Sequence, residues 1–268
     1  MDRISFEDLP EDVRETLEMV HIPGQDPDEC VSALREVAET YPGFVPGRLN
    51  LAAMQLQAEN VNDAEETYSA VLKDFPDENG AIGGLATVFA ARKDFGVAEE
   101  YAHRALENGY DWPPLYSVIG EARENAGDLE AAADAYFLSY RMSPHTWNDL
   151  ANYCRLKGRS YVSPLEEVPQ LLTDESLETL FEYIDETAHT PDEAGEIPGC
   201  DHTFRFTEQW AKTNEVDIIE LYQFLNAHGG FCDCEVCFNV ASSLYDEEYE
   251  DEDDDFDEDD EEEFSEDE

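Results

Sequence analysis

A period of 34 residues constrains this chain more than any other feature. Written in rows of 34 starting at Glu11, Val45, Asn79 and Pro113, the sequence places Leu17, Leu51, Leu85 and Ile119 in its seventh column. Column 20 reads Cys30, Ala64, Ala98 and Ala132, and column 24 reads Leu34, Tyr68, Ala102 and Tyr136. Val37, Val71, Ala105 and Ser139 fill column 27, and Pro42, Pro76, Tyr110 and Pro144 fill column 32. A repeat of this length is one supersecondary unit that buries its apolar face by stacking on its neighbours. Small residues in column 20 let two antiparallel helices approach closely. The larger residues of columns 24 and 27 fill the groove between successive pairs, and the proline stops the second helix before the next begins.

Over about residues 11–144 this arrangement resembles the tetratricopeptide repeat, which implies an all-α, helical-hairpin solenoid. Row one departs from the pattern, since its first helix (EDVRETLEMV) carries Arg14 and Glu18 where the family prefers a bulky residue and a Gly or Ala. Its second helix is expected over Asp28 to Thr40. After row four the pattern restarts three residues early: Trp147, Leu150, Ala151, Cys154 and Gly158 match the family's opening and its later glycine. The second helix of that unit is replaced by SYVSPLEEVPQLL, so Trp147 to Leu156 is expected to close the solenoid by covering its last apolar face. The solenoid with its closing helix is assigned residues 1–160.

The resemblance implies that partner proteins or peptides bind along the concave surface lined by the first helix of each pair. The lining columns hold Pro46, Leu49, Ala53, Leu56 and Gln57 in row two and Gly80, Gly83, Thr87, Ala90 and Ala91 in row three. Row four supplies Pro114, Ser117, Glu121, Glu124 and Asn125. The branch of the family that clamps a chaperone's C-terminal carboxylate uses Lys, Arg and Asn in these columns, and this lining supplies almost none. A groove of small and apolar residues grading into acids suits a basic or mixed apolar-basic protein segment. Candidate contacts are Leu49, Ala53, Leu56, Thr87, Ala90, Ser117, Glu121 and Glu124. The glycines Gly80, Gly83 and Gly84 equally fit close helix packing, and their position inside a repeat helix excludes a phosphate cradle.

Residues 163–245 show no echo of the repeat and read as a small helical Cys/His domain. Helices are expected near Glu166 to Leu172, Asp174 to Thr187, Phe204 to Lys212 and Glu215 to Ala227. Asp174 or Ser176 is the expected cap of the second and Asn214 that of the last, with a surface loop over Thr187 to Gly199. The chemistry lies in GCDHTFRFTEQW and HGGFCDCEVCFNV, which bring a C-x-H pair, Cys200 and His202, and a C-x-C pair, Cys232 and Cys234. Four such ligands in two short pairs suit a closed tetrahedral zinc site of structural type. Cys237 is a fifth candidate and His228 a sixth, though His228 reads more readily as a helix-end cation. Two catalytic alternatives use the same residues: an open zinc beside Glu235 as a base, and a redox pair Cys232/Cys234. The strings CDHT-x-RFTEQW and HGGFCDCEV resemble a small bacterial family known as domain of unknown function 2695. That family carries an aliphatic residue where Cys237 stands, which implies the ligand set Cys200, His202, Cys232 and Cys234.

The chain has 67 acidic and 15 basic residues in 268, a formal charge of −52. Such a balance argues against binding nucleic acid or an anionic membrane surface and favours basic partners. Within the last segment, Asp246 to Glu268, lie 19 of the acids and no Lys or Arg, which leaves −33 on the first 245 residues. Residues 246–268 are expected to be a disordered acidic tail, with Tyr249, Phe256 and Phe264 as aromatic interruptions. It reads either as a solubilising tail or as a second site for a basic partner. No secretory signal or apolar span is evident, so a cytoplasmic, noncatalytic interaction protein is expected. A competing account treats the acidity as adaptation to high salt, with which the presence of only four Lys among 15 cations is compatible.

Overall fold

The computed structural model describes residues 1–20, 22, 24–166, 168–190 and 198–245. The tail over 246–268 and the middle of the loop after Thr187 lie outside the described residues. The described residues form helices and turns without a strand, and the chain divides into two compact units, Met1–Tyr161 and a second beginning at Val162.

In the first unit the helices start on the sequence period. The first helices α1 (Glu11–Met19), α3 (Val45–Gln57), α5 (Asn79–Ala91) and α7 (Pro113–Asn125) begin where the rows begin. The second helices α2 (Pro27–Thr40), α4 (Val61–Asp74), α6 (Phe95–Glu107) and α8 (Leu129–Met142) repeat the same offset, and α9 (Trp147–Lys157) closes the series. The first hairpin turns on Gly24 at φ 89°, and the last three on one left-handed residue in column 15, Glu59 at φ 60°, Lys93 at φ 63° and Gly127 at φ 82°. The following amide reaches back to a carbonyl five residues earlier, as Asn60 to Gln55, Asp94 to Phe89 and Asp128 to Arg123, which satisfies helix-end acceptors.

Column 20 is the tight seam, with Cys30 at 5% exposure and Ala64, Ala98 and Ala132 at 0%. Glycine makes two further close approaches possible. A Cβ on Gly84 would stand 2.2 Å from the Tyr68 ring, and one on Gly120 would stand 2.7 Å from the Tyr136 ring. Glycine in α5 and α7 is therefore a packing requirement, since the column-24 tyrosines lie flat against bare backbone. The helix α9 ends at Gly158 in the left-handed conformation, φ 65°, and the described residues between it and residue 173 contain no further helix.

The second unit contains α10 (Asp174–His189), α11 (Arg205–Thr213) and α12 (Ile218–Ala227). A turn over Asp233–Glu235 then passes into a π-helical turn, Val236–Val240, and a last helical turn, Ala241–Tyr245. Their core gathers Leu177, Leu180, Ile184, Phe204, Trp210, Tyr222, Phe224 and Val236. Three sequence expectations are corrected here. The described part of Glu166 to Leu172 is not helical, because Pro164 and Pro169 remove donors and push the preceding residues out of the helical region. The cap of α10 is Thr173, whose side chain accepts the Ser176 amide, in place of Asp174 or Ser176. The last helix starts at Ile218, capped by Asp217: Glu215 sits at φ 57° and the Val216 amide still bonds back to Ala211 of α11.

Candidate functional site

Two loops build the cysteine site. The first opens at Gly199, whose positive φ of 63° turns the chain while its amide donates to the Ala188 carbonyl at 3.0 Å. Asp201 then folds its own loop, accepting the Thr203 amide at 3.2 Å and hydroxyl at 2.6 Å. The tight turn puts His202 at φ 62° and sets its amide 3.3 Å from the Cys200 sulfur. The second loop enters through extended Cys232, and Glu235 accepts the Phe231 amide at 2.9 Å.

These loops bring ligand atoms of Cys200, His202, Cys232 and Cys234 within 4.8 Å of one another, with Cys232 Sγ and Cys234 Sγ 3.2 Å apart. Tetrahedral zinc, with Zn–S about 2.3 Å and Zn–N about 2.0 Å, needs ligand atoms roughly 3.5–4 Å apart, so the four residues fit such an ion with small adjustments. Cys232 is 3% exposed. Desolvation, first among the causes, pushes its thiol up, and desolvation likewise raises Cys234. A bound cation would replace those protons, because thiolate is the ligating form. The cluster can therefore hold a metal ion.

The remaining candidates lie elsewhere. Cys237 sits in the π-helical turn with its sulfur 3.9 Å from the Phe181 carbonyl, outside the four-atom group. Its thiol is pushed up to about 11, chiefly by burial. His228 ends α12 with its ring 4.8 Å from that of Phe224 and Nδ1 3.1 Å from the Ser243 hydroxyl. Desolvation lowers its pKa, so the environment favours a neutral ring over the expected helix-end cation. Cys30 and Cys154 are buried in the repeats.

Asp233 was not singled out by the sequence reading. It is 1% exposed, and its carboxylate accepts the amides of Phe206 at 2.8 Å and Thr207 at 2.9 Å and the Thr207 hydroxyl at 2.8 Å. Its own amide donates to the Thr203 carbonyl at 2.9 Å. One residue between two thiols thus caps α11 and ties the Cys232–Cys234 loop to the Cys200–His202 loop. Nothing local in the sequence signals this, because its partners lie 26 and 27 residues away.

The groove candidates occupy the first helices of the repeats. Leu49, Leu56 and Thr87 are half-buried, Ala53 is exposed, and Ala90 retains 9% exposure. Thr87 donates its hydroxyl to the Gly84 carbonyl at 2.7 Å. Ser117 donates to Asp149 Oδ2 at 2.6 Å. The two acids differ: Glu124 accepts Arg155 Nη2 at 2.8 Å and the Tyr136 hydroxyl at 3.2 Å, whereas Glu121 is exposed.

Fold and site together define a tetratricopeptide-like helical-repeat unit followed by a region of a second kind that carries the Cys/His cluster. Residues 180–239 match the family described as protein of unknown function (DUF2695). Uncharacterized proteins of Mycobacterium bovis and Mycobacterium tuberculosis are 38% identical over 69 residues, covering 26% of this chain. The matched stretch spans 63% of the length of these relatives. Among solved structures, a thermophilic TPR protein of Thermus thermophilus aligns with TM-score 0.46 and 14% identity, over 76% of this chain and 97% of that one. No helix among the described residues is long and apolar enough to cross a membrane.

Proposed function

We propose that this chain is a noncatalytic, cytoplasmic protein–protein interaction module. Its repeat groove takes a basic or mixed apolar-basic segment of a partner protein, and its second unit is held by a structural zinc ion on Cys200, His202, Cys232 and Cys234. The reading of the groove rests on its gradient from Leu49, Ala53 and Leu56 to the exposed acid Glu121, in a chain of net charge −52. The zinc reading rests on two separate loops delivering four ligand atoms to one place. Glu235, the base an open catalytic zinc would need, is engaged as an acceptor for the Phe231 amide, which favours the structural role.

Metal analysis of purified chain is expected to give one zinc per molecule, and Cys232→Ser to lose both the zinc and the folded second unit while the repeats stay helical. Metal-free chain with an unchanged second unit overturns the zinc reading. The 3.2 Å approach of the Cys232 and Cys234 sulfurs favours one alternative, a redox pair in which a peroxide or disulfide oxidant takes two electrons and the two thiol protons leave. Reversible loss of two titratable thiols, abolished equally by Cys232→Ser and Cys234→Ser, would establish it. For the groove, full-length chain and a chain lacking 246–268 are compared for binding of basic and acidic peptides. Binding of basic peptides by both forms supports the groove, and binding only by the full chain assigns the partner to the tail.

A further inference from the structure

The first helices of successive repeats do not pack evenly. Helix α3 lies against α5, and α5 against α7, but no contact of comparable extent joins α7 to α9. A cavity of about 330 Å³ opens there, lined by Ser117 and Glu121 of α7, by Trp147, Asn148, Asp149 and Asn152 of α9, and by His145 and Thr146 just before α9. Its floor is a carboxylate: Asp149 is 6% exposed, and its Oδ2 accepts the hydroxyls of Ser117 at 2.6 Å and Ser139 at 2.7 Å. Glu121, also in the lining, is exposed.

Hydroxyls satisfy the hydrogen-bonding capacity of Asp149 but leave its charge unbalanced. Among the described residues no Lys or Arg pairs with Asp149 or Glu121, although Arg3, Arg35, Arg48, Arg92, Arg123, Arg155 and Lys157 of the same unit all pair with other acids. The contrast one turn along α7 is sharp, because Glu124 already has Arg155. Desolvation raises both Glu121 and Asp149, and Asp149 raises Glu121 further. The cavity therefore holds two carboxylates that no Lys or Arg pairs, beside the His145 ring, an aromatic wall and carboxamides. A planar guanidinium matches the features together: it is permanently charged, offers several donors to carboxylate and carboxamide oxygens, and stacks on aromatic surfaces.

We infer that the cavity between α7 and α9 receives an arginine side chain of a protein partner, ion-paired by Glu121 above the Asp149 floor. This rests on the interaction-module reading and names the anchor that reading leaves open. Apolar residues on either side of that arginine would run toward Leu49, Ala53 and Leu56.

The test uses full-length chain with labelled tryptophan indoles, titrated with short Ala/Leu peptides that differ in one central residue: Arg, Gln or Glu. The Arg peptide is expected to move the Trp147 resonance, assigned through Trp147→Phe, and to bind about tenfold more tightly than the Gln peptide. Glu121→Gln should weaken the Arg peptide about three- to tenfold and leave the Gln peptide unchanged. Glu100→Gln, which removes an exposed acid of α6, controls for net charge and should change neither. Equal effects of Glu121→Gln and Glu100→Gln overturn the proposal in favour of unspecific attraction. Binding that leaves Trp147 unmoved and instead depends on Leu49 and Leu56 overturns the arginine pocket but keeps the interaction module. Failure of every peptide to bind overturns both. Calcium chloride alone moving Trp147 and displacing the Arg peptide would assign the cavity to an inorganic cation.

Discussion

Asp233 is the residue that ties the two loops of the Cys/His cluster to each other. Its buried carboxylate holds two backbone amides and a hydroxyl, although desolvation raises its pKa. Replacing it by Asn keeps the volume but turns one acceptor into a donor, so an amide at the start of α11 faces an NH2 group and is left unsatisfied. Asp233→Asn is expected to destabilise the second unit by about 2–4 kcal/mol and to weaken retention of the proposed zinc, measured by thermal unfolding and by competition with a chelator. Retention of zinc equal to the parent chain would show that the two loops hold their positions without this tie. At the same scale the C-x-H pair Cys200/His202 and the C-x-C pair Cys232/Cys234 were visible in local spacing, and their ligand atoms lie within 4.8 Å of one another. The role of Asp233 was not, because its partners lie on a helix that the sequence separates from it by more than 25 residues.

At the scale of elements, helix starts in the repeats followed the period residue for residue, since each hairpin is specified by columns that recur locally. The glycines show the limit of that reading: sequence alone left groove lining and close packing equally open for Gly80, Gly83 and Gly84, and the Tyr68 ring decides for packing at Gly84, as the Tyr136 ring does at Gly120, which the sequence had not marked. Gly84→Ala and Gly120→Ala are each expected to destabilise the repeats by about 1–3 kcal/mol through overpacking. Gly96→Ala provides the contrast. A Cβ there meets nothing within 4 Å, so inside α6 the change should stabilise by up to about 1 kcal/mol. Chemical denaturation midpoints of the three variants check both signs. In the second unit the expected helices persisted except the first, Glu166 to Leu172, where Pro164 and Pro169 remove donors.

For the whole molecule, charge governs the response to solvent. Desolvation raises the folded-state pKa values of Glu121 and Asp149 in the repeat unit, so the folded state binds protons there that the unfolded chain releases. That contribution to stability is present at acidic pH and is lost as pH rises through the folded values. The unfolding temperature of the repeats is therefore expected to rise on acidification from pH 7 to about 5, and added salt at pH 7 should act in the same direction by screening acid–acid repulsion. Glu124 has the opposite sign, because the hydrogen bond from Arg155 lowers its pKa and its contribution disappears as pH falls through that lowered value. The gain should consequently reverse below the ordinary carboxylate range. Calorimetry of the full chain reads this directly, with the transition of the second unit identified by its movement in Cys232→Ser. A repeat transition that falls steadily from pH 7 to 5 would contradict the assignment.

By itself the sequence determined the helical hairpins, their period, the closing helix at Trp147 and the C-x-H and C-x-C pairs, because each of these is encoded by residues near one another in the chain. The tertiary structure decided what distant residues do to one another. It brought Cys200 and His202 to Cys232 and Cys234, gave Asp233 its helix to cap, and separated Glu121 from Glu124 by supplying Arg155 to one of them alone. Periodicity fixes which face a side chain lies on, but the pairing of charges and ligands depends on distances between elements, and those exist only once the hairpins have packed.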